Sequence, residues 1–386
     1  MALQKLHATS ASSPKPAHPR RRSFPCRREI GNTEAPAAKN MQQPPRARAR
    51  LADVAHRAAV SVATADRVLH DRTGVRESTR KRVLEAAARL DYIPEGTLAK
   101  MLHPACTRLS FILPEGNNRF ISLLAESALR AQEQLAAYNV QCKVRWVESF
   151  NAEALSKELL VQGRKSDGIA FIPLEHPLVR DATNHLVDSG VPVMTVASDL
   201  SNTRRTAYIG LDNYAAGRTA GLVLGKWSGG QAGQVVMICG SLSYRGHGER
   251  ELGFQHLLQE SFPELEITGV REGHDDPERT YQQTNELIAQ HKRLVGIYNV
   301  GGGAEGVGRA LKKAGLAGKV SFVGHELTPE TRGFLIDATM AGVIHQNPQL
   351  EVMNCVRTLA NLREGKKPQE GIEPLRIALI VRENLP

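Results

Sequence analysis

The chain has 386 residues, of which 41% are hydrophobic, and its formal net charge is +10. This length exceeds that of one compact domain, and no run of about 18 apolar residues is present, which excludes a membrane-spanning helix. The five cysteines are scattered and form no CxxC pair, so the usual zinc and dithiol motifs are excluded and reduced thiols in a cytoplasm are indicated.

The positive charge is concentrated at the N-terminal end. Residues 1–50 contain eleven Lys/Arg and two Glu, a balance of +9, whereas residues 51–103 contain nine Lys/Arg and seven Asp/Glu, a balance of +2. The remainder of the chain is therefore close to neutral. A basic end on a neutral body suits a polyanion such as DNA, because each neutralised phosphate releases counterions.

Residues 1–47 are rich in Pro, Ala, Ser and Arg and show no hydrophobic periodicity, which predicts a disordered basic extension. The segment lacks the apolar stretch of a secretory signal. A transit peptide and a DNA-binding tail are two interpretations of it. The interpretation that we favour is a start assigned too early, with Met41 as the true first residue.

Three short helices are predicted next, because residues 51–58, 62–70 and 77–90 each place apolar side chains on one helical face. Ser61 is suited to cap the second helix by accepting a free backbone N–H, and Pro94 interrupts the chain after the third. Three short helices joined in this way form a helix-turn-helix unit. A generic three-helix bundle with a solvated charged face is the alternative that the pattern leaves open.

The second helix of such a unit lies in the major groove of DNA. We expect Val62, Ala63 and Arg67 to meet base edges, where the fork of an arginine matches the two acceptors of guanine. The hydroxyl and basic groups around them are expected to contact phosphates. The predicted DNA-contacting residues of this unit are Ser61, Val62, Ala63, Thr64, Arg67, His70, Thr79 and Arg80.

The run Asp53-Val-Ala-x-x-Ala-x-Val-Ser-x-Ala-Thr-x-x-Arg-Val-Leu69, followed by Tyr92-Ile-Pro94, resembles the headpiece of the lactose-repressor (LacI) family of bacterial regulators. The resemblance implies a DNA-binding domain over residues 48–94 of a transcription regulator, acting as a repressor. Two positions depart from the family pattern, since Ala59 replaces a turn glycine and Asp66 replaces a serine. Because a carboxylate repels phosphate, we expect Asp66 to pair with Arg67 or to face away from DNA.

Residues 95–107 correspond to a hinge in that family. The resemblance implies a short helix that orders on operator binding and inserts an apolar wedge into the minor groove, here Met101 or Leu102. A plain linker is the alternative, because Gly96 and two prolines weaken a helix.

Short apolar strands alternate with amphipathic helices over residues 108–386, which predicts an α/β body with parallel sheets. The predicted strands are 109–113, 140–147, 167–173, 191–197, 235–239, 265–270, 296–300, 320–324 and 342–346. The predicted helices are 120–138, 152–163, 213–226, 247–261, 277–291, 303–315 and 348–364.

The same resemblance implies a periplasmic-binding-protein-like type I fold, in which two doubly wound parallel sheets form two lobes. One lobe is expected to take residues 108–228 with 347–374, and the other 230–346 with 375–386. The chain would then cross three times between lobes that close on a ligand.

Ligands of such folds bind at the carboxyl ends of the strands, and the cleft between two lobes is the expected site. Several strand-end residues match the effector positions of the family, and their amides, carboxylates, guanidinium and aromatic ring suit the hydroxyls and C–H faces of a sugar. The predicted effector-binding residues are Asn117, Asn118, Phe120, Asp212, Arg250, Asn299, Glu326 and Gln346. The glycines at 301–303 could also cradle an anion at a helix N-terminus.

Two other classes of protein are alternatives to a transcription regulator. A sugar-binding receptor of an uptake system would share the two-lobed fold but needs a secretory signal and no helix-turn-helix. An enzyme needs an acid/base pair or a nucleophile, and no motif supports one, so we expect no catalytic residue, no cofactor and no metal. His325 next to Glu326 lacks a partner at metal-binding spacing.

The expected partners are a double-stranded DNA operator, a small-molecule effector (a sugar, a polyol or a derivative) and a second copy of the chain in a homodimer. A dimer is expected because one headpiece reads only a half-site. No membrane partner is expected. The expected location is the bacterial cytoplasm, on the nucleoid through DNA.

Overall fold

The computed structural model describes residues 49–70, 72, 74–93, 106–130 and 138–386. The predicted extension at 1–47 and the wedge residues Met101 and Leu102 lie outside the described residues. Within the described ranges, no helix is long and apolar enough to cross a membrane.

The three predicted N-terminal helices are confirmed within a residue at each end. They are α1 (Leu51–Arg57), α2 (Val62–Leu69) and α3 (Glu77–Arg89). Their apolar faces enclose one small core, in which Val54, Val68 and Val83 are fully buried or nearly so. Ser61 caps α2 as predicted, since its Oγ accepts the backbone N–H of Thr64 at 3.1 Å.

The turn between α1 and α2 carries backbone strain at Ala59, whose φ is +52°. An L-residue in this left-handed region brings its Cβ close to a carbonyl oxygen, and glycine avoids that contact. Ala59→Gly is therefore expected to stabilise the three-helix unit by about 1 kcal/mol. The measurement is amide hydrogen exchange of peptides that cover α1–α3, which should become better protected.

Ala52→Gly is the matched control, because Ala52 is an exposed residue inside α1. Glycine in a helix interior costs about 0.5–1 kcal/mol, so this variant should lose protection. Equal losses in both variants would contradict a strained turn at Ala59.

The first lobe of the body is built on a five-stranded parallel sheet in the order β2-β1-β3-β4-β5. Its strands are β1 (Thr107–Pro114), β2 (Val140–Val147), β3 (Gly168–Phe171), β4 (Val193–Val196) and β5 (Ala207–Ile209). Its core draws side chains from the sheet and from α4 (Arg119–Arg130), α5 (Ala152–Gly163), α6 (Pro177–Asp188) and α12 (Pro348–Arg363). The sequence did not predict α6 or the short strand β5.

The second lobe is built on a six-stranded sheet in the order β11-β10-β9-β8-β6-β7. Its strands are β6 (Gly233–Cys239), β7 (Leu265–Glu272), β8 (Leu294–Asn299), β9 (Ser321–His325), β10 (Gly342–His345) and β11 (Ala378–Ile380). Its helices are α7 (Asn213–Trp227), α8 (Arg245–Ser261), α9 (Pro277–Gln290), α10 (Ala304–Lys313) and α11 (Pro329–Ile336). The predicted two-lobed α/β architecture is confirmed, although β11 runs antiparallel to β10.

The assignment of α7 to the first lobe was wrong. Its buried residues Ala220 and Leu224 belong to the core of the second lobe, and the helix packs closely along α8. A Cβ at Gly217 would lie 1.9 Å from the carbonyl oxygen of Arg250, so only glycine permits this approach. The first crossing between lobes therefore lies between β5 and α7, and not after residue 228.

Two further crossings follow, one between β10 and α12 and one between α12 and β11. The last residues before β11 therefore return the chain from the first lobe to the second, as the sequence predicted. Three crossings side by side form a hinge between the lobes. The loops that follow the carboxyl ends of the strands in both lobes border one cavity.

Candidate functional site

A cavity of about 200 Å³, lined by both polar and apolar side chains, lies between the two lobes of the body. The first lobe contributes the loops after β1, β3 and β4, and the second contributes the start of α8 and the loops after β7, β8, β9 and β10. Of the eight predicted effector-binding residues, six line this cavity: Asn117, Asn118, Phe120, Arg250, Glu326 and Gln346.

Arg250 is the buried cation of the cavity, with 5% of its surface exposed. Its Nε donates to Oδ1 of Asn213 at 2.8 Å, and one terminal nitrogen donates to the carbonyl oxygen of Val300 at 2.9 Å. These two bonds fix the plane of the guanidinium. A guanidinium fixed in this way can donate hydrogen bonds from its second terminal nitrogen to neighbouring oxygens of a ligand, at little cost in conformational entropy.

Two predicted residues do not line the cavity. Asp212 is exposed and caps α7 by accepting the backbone N–H of Ala215 at 2.9 Å, while the next residue, Asn213, is the one that holds Arg250. Asn299 is fully buried, and its amide donates to the carbonyl oxygens of Gly301 and Gly302, at 2.7 and 3.1 Å. Asn299 thus shapes the glycine loop behind the cavity wall.

Glu326 and Gln346 contribute side-chain oxygens that can accept hydrogen bonds from a ligand. Glu326 is 92% buried, and neither of its carboxylate oxygens has a hydrogen-bond partner among the described residues. Nδ1 of His345 lies 3.3 Å from one of them, which is an ion-pair distance without hydrogen-bond geometry. The side-chain oxygen of Gln346 is also buried and has no hydrogen-bond partner within the described ranges. Buried acceptors of this kind require a donor to offset the cost of their desolvation, and ligand hydroxyls can supply it.

Two histidines line the same cavity as neutral rings. Burial lowers the pKa of His325 well below its ordinary value, and Arg250 lowers it further. Burial also lowers the pKa of His247, although the charge of Asp275 opposes this shift. Nε2 of His325 lies 2.8 Å from the hydroxyl of Tyr298. Among the described residues, no group of three or more His, Cys, Asp or Glu side chains is placed to hold a metal ion.

Several polar or aromatic residues that border the cavity were not predicted from the sequence. They are Ser198, Tyr244, His247 and Asp275. Asp275 follows the carboxyl end of β7, so the rule that places ligands at strand ends could have found it. The others sit on loops and a helix start whose orientation the sequence pattern does not fix.

Glu351, in the first turn of α12, is a fully buried carboxyl, and neither of its oxygens has a hydrogen-bond partner in the part of the chain that the structure describes. Burial raises its pKa well above the ordinary value of a glutamate side chain, and the charge of Glu326 raises it further. The folded state then keeps a proton that the unfolded state releases, so stability falls as pH rises above about 4.5. Glu351→Gln removes this dependence and should raise Tm by several degrees at pH 8 but little at pH 4.

Thermal unfolding of the full chain across this pH range tests the prediction. Glu153→Gln is the control, because it removes the same charge from an exposed first turn, that of α5. A pH-independent gain, or an equal gain in both variants, would contradict a protonated Glu351.

The predicted DNA-contacting residues of the helix-turn-helix unit differ in their exposure. Ser61, Val62, Ala63, Arg67 and His70 are exposed on α2 and its ends. Val62 is an apolar side chain with 49% of its surface exposed, on the side opposite the buried core. Of the remaining residues, Thr64, Thr79 and Arg80 are half-buried.

Asp66 pairs differently from the prediction. Its carboxylate lies 3.0 Å from Nδ1 of His70 and accepts from Arg72 at 3.2 Å, and no contact with Arg67 is present among the described residues. The ring of His70 is thus partly engaged within the helix. The neighbouring Arg67 keeps its guanidinium available, which a contact with base edges requires.

A helix-turn-helix with an arginine-bearing outer face, together with a hinged two-lobed body around a cavity, defines a ligand-responsive DNA-binding transcription regulator. The family model for bacterial regulatory proteins of the lacI family matches residues 50–95, and that for a periplasmic binding protein domain matches residues 109–367. The chain belongs to the lacI family of regulators with a body of the periplasmic-binding-protein type, and the resemblance proposed from sequence is confirmed.

Relatives of both kinds are found. Catabolite control protein A of Priestia megaterium is 26% identical over 254 residues, which is 64% of this chain and 72% of that protein. Ribose import binding protein RbsB of Escherichia coli (strain K12) is 22% identical over 276 residues, 71% of this chain and 90% of that protein. A solved ABC transporter solute-binding protein from Burkholderia graminis C4D1M, in complex with D-arabinose, superposes with a TM-score of 0.66 and 23% identity, covering 72% and 96% of the two chains. This last likeness confirms the fold of the body.

Proposed function

We propose that the chain represses transcription from an operator and that a sugar, a polyol or a derivative, bound between the lobes, controls this activity. The observation that carries the ligand assignment is the pair Glu326 and Gln346, whose buried oxygens lack donors on the wall that also holds Arg250. Vicinal hydroxyls can donate to these oxygens and accept from the guanidinium at the same time. The ligands named for two relatives of the body, ribose and D-arabinose, support the same class.

The predicted contact residues remain part of this proposal. The surface of Ser61, Val62, Ala63 and Arg67 is assigned to the major groove, and Met101 or Leu102 to the minor-groove wedge. We infer that two copies form a homodimer, because a two-fold pair of headpieces matches a pseudo-palindromic operator and doubles the contact area.

DNA as target implies a bacterial cytoplasmic protein on the nucleoid. The relatives are regulators and binding proteins, so we infer that the cavity binds its ligand without transforming it.

The effector acts through the lobes. A ligand that contacts both walls of the cavity favours the closed arrangement, because it binds that arrangement more tightly than an open one. Closure alters the relation of the lobes across the three crossings and thereby the operator affinity of the dimer.

The test begins with DNA duplexes selected from a random library by the full-length protein in moderate salt. Enriched sequences should be pseudo-palindromes with half-sites about one helical turn apart. Fluorescence anisotropy with the enriched duplex is then repeated with D-ribose, D-arabinose, D-glucose, myo-inositol and ribitol. At least one should change the operator affinity severalfold.

Failure to enrich any palindrome would overturn the regulator function. Sugar binding without any DNA binding would favour the alternative, a receptor of an uptake system. Operator binding that none of these compounds changes would overturn the effector class and leave the DNA function intact.

A further inference from the structure

Asp275 joins the two lobes across the cavity. It follows β7 in the second lobe, is 93% buried and has a φ of +56°. Oδ1 of its carboxylate accepts the backbone N–H of Gly302 at 2.7 Å. Oδ2 accepts from Nδ2 of Asn118, which belongs to the first lobe, at 3.0 Å. One carboxylate therefore receives donors from both sides of the cleft.

The surroundings of this carboxylate are shaped for an anion. A Cβ on Gly240 would lie 2.3 Å from Oδ1 of Asp275, and a Cβ on Gly301 or Gly302 would lie 3.0 or 2.8 Å from the same atom. These three glycines, here called the glycine nest, leave the space that the carboxylate fills. Backbone N–H groups in such concave loops, next to a helix N-terminus, are typical anion sites. The anion cradle that the sequence indicated at residues 301–303 is thus occupied by a side chain of the protein itself.

The remaining charges of the cavity do not favour a second anion. Arg250 is its buried cation, whereas Asp275 and Glu326 are two buried carboxylates. His247 and His325 contribute no positive charge, because burial lowers the pKa of both. The other charged side chains that border the cavity are one cation, Arg119, which lies 3.8 Å from Glu126, and two carboxylates, Glu305 and Glu330. An anionic group that entered would meet more carboxylates than guanidinium groups.

We propose that Asp275 is a specificity-determining residue of the cavity. Its carboxylate occupies the glycine nest in place of an anionic ligand group, so that the cleft accepts uncharged sugars or polyols and rejects their phosphate esters. This inference rests on the proposed effector function and narrows its ligand class by charge.

Two substitutions remove the carboxylate from the glycine nest, or only its charge, without changing the backbone conformation. Asp275→Gly suits a residue with positive φ, because glycine adopts that conformation freely. Asp275→Asn keeps the shape and loses the charge. Its amide would also oppose Nδ2 of Asn118, which cannot reverse because Oδ1 of Asn118 accepts the backbone N–H of Phe120 at 3.0 Å. Asp276→Asn is the control, since it removes the same charge from the next residue, which caps α9 by accepting the backbone N–H of Arg279 at 2.7 Å, and leaves the nest filled.

The first probe is inorganic phosphate, titrated into each full-length variant by calorimetry and by thermal unfolding, with sodium chloride at matched ionic strength as the blank. Asp275→Gly should bind phosphate at least about tenfold more tightly than the wild-type protein and Asp276→Asn, because free donors in the nest then face the ion. Asp275→Asn should lie between them. Saturable binding of phosphate by the wild-type protein, or no gain in either Asp275 variant, overturns the proposal.

The second probe is a set of matched pairs: D-ribose and ribose 5-phosphate, D-arabinose and arabinose 5-phosphate, D-glucose and glucose 6-phosphate. For any pair that binds, the wild-type protein should have at least about tenfold higher affinity for the neutral member than for the phosphate ester. In Asp275→Gly this ratio of affinities should be smaller. A wild-type preference for the phosphate ester overturns the proposal. If no member of any pair binds while Asp275→Gly still gains phosphate, the sugar assignment fails and the role of Asp275 stands.

Discussion

Arg250→Ala is expected to raise the dissociation constant for the effector at least about 100-fold, since two charge-assisted hydrogen bonds are each worth roughly 1.5–3 kcal/mol. The guanidinium is buried, held in plane by Asn213 and Val300, and located on the cavity wall that carries Glu326. Operator affinity should remain within severalfold of the wild-type value. The variant is therefore expected to bind DNA and to ignore the effector.

Calorimetry with the effector and anisotropy with the selected duplex check the two halves of this expectation. Arg218→Ala is the matched control. Arg218 lies on α7 and pairs at the surface with Glu260 of α8, and neither residue lines the cavity. Arg250→Lys should retain part of the affinity, as it keeps the charge but lacks the planar fork. An Arg250→Ala variant that is folded by thermal unfolding and titrates normally with effector would remove Arg250 from the site.

The strands and helices of the body were largely predictable, because alternating apolar strands and amphipathic helices fix the class of fold. The sheet against which α7 packs was not predictable, because the order of elements along the chain does not determine on which sheet a crossover helix packs. The decisive features are Gly217 and Gly253, whose missing side chains let α7 and α8 approach. Glycines inside a helix show where two helices pack closely only once both helices are in place.

The sequence predicted the loops that form the site more accurately than the side chains that line it. Asp212 and Asn213 are adjacent at the start of α7, and only the phase of that helix decides which one caps it and which one holds Arg250. Asp275 was missed because its role depends on glycines from two other loops, after β6 and β8. Such a nest is assembled by tertiary structure and has no local sequence pattern.

The departures from the family pattern in the headpiece have local physical accounts. Ala59 occupies a turn position with positive φ, so the chain accepts strain that a glycine would avoid. The carboxylate of Asp66 lies 3.0 Å from Nδ1 of His70 and 3.2 Å from a terminal nitrogen of Arg72. The acidic residue beside Arg67 therefore does not compete with DNA for that guanidinium.

Arg67→Ala is consequently expected to reduce specific operator binding about 100-fold or more while leaving effector binding unchanged. Arg67 is exposed on the same face of α2 as Ala63, and a bidentate contact to guanine contributes roughly 1–3 kcal/mol at each half-site of a dimer. Binding to random-sequence DNA should fall far less, because phosphate contacts from other residues supply most of that affinity. The operator and the random duplex should thus become nearly indistinguishable to this variant.

Arg89→Ala is the control for this comparison, because Arg89 is an exposed arginine at the end of α3 and its loss removes the same charge from the same three-helix unit. It should weaken operator and random DNA by similar, small factors, and a salt titration should show at most about one fewer phosphate contact. Tight operator binding by Arg67→Ala, or a selective loss of operator binding in Arg89→Ala, would place the reading face on α3 instead of α2. With the expected pattern, sequence recognition resides in one arginine on a mostly small and apolar helix face, and the dimer must supply the remaining affinity.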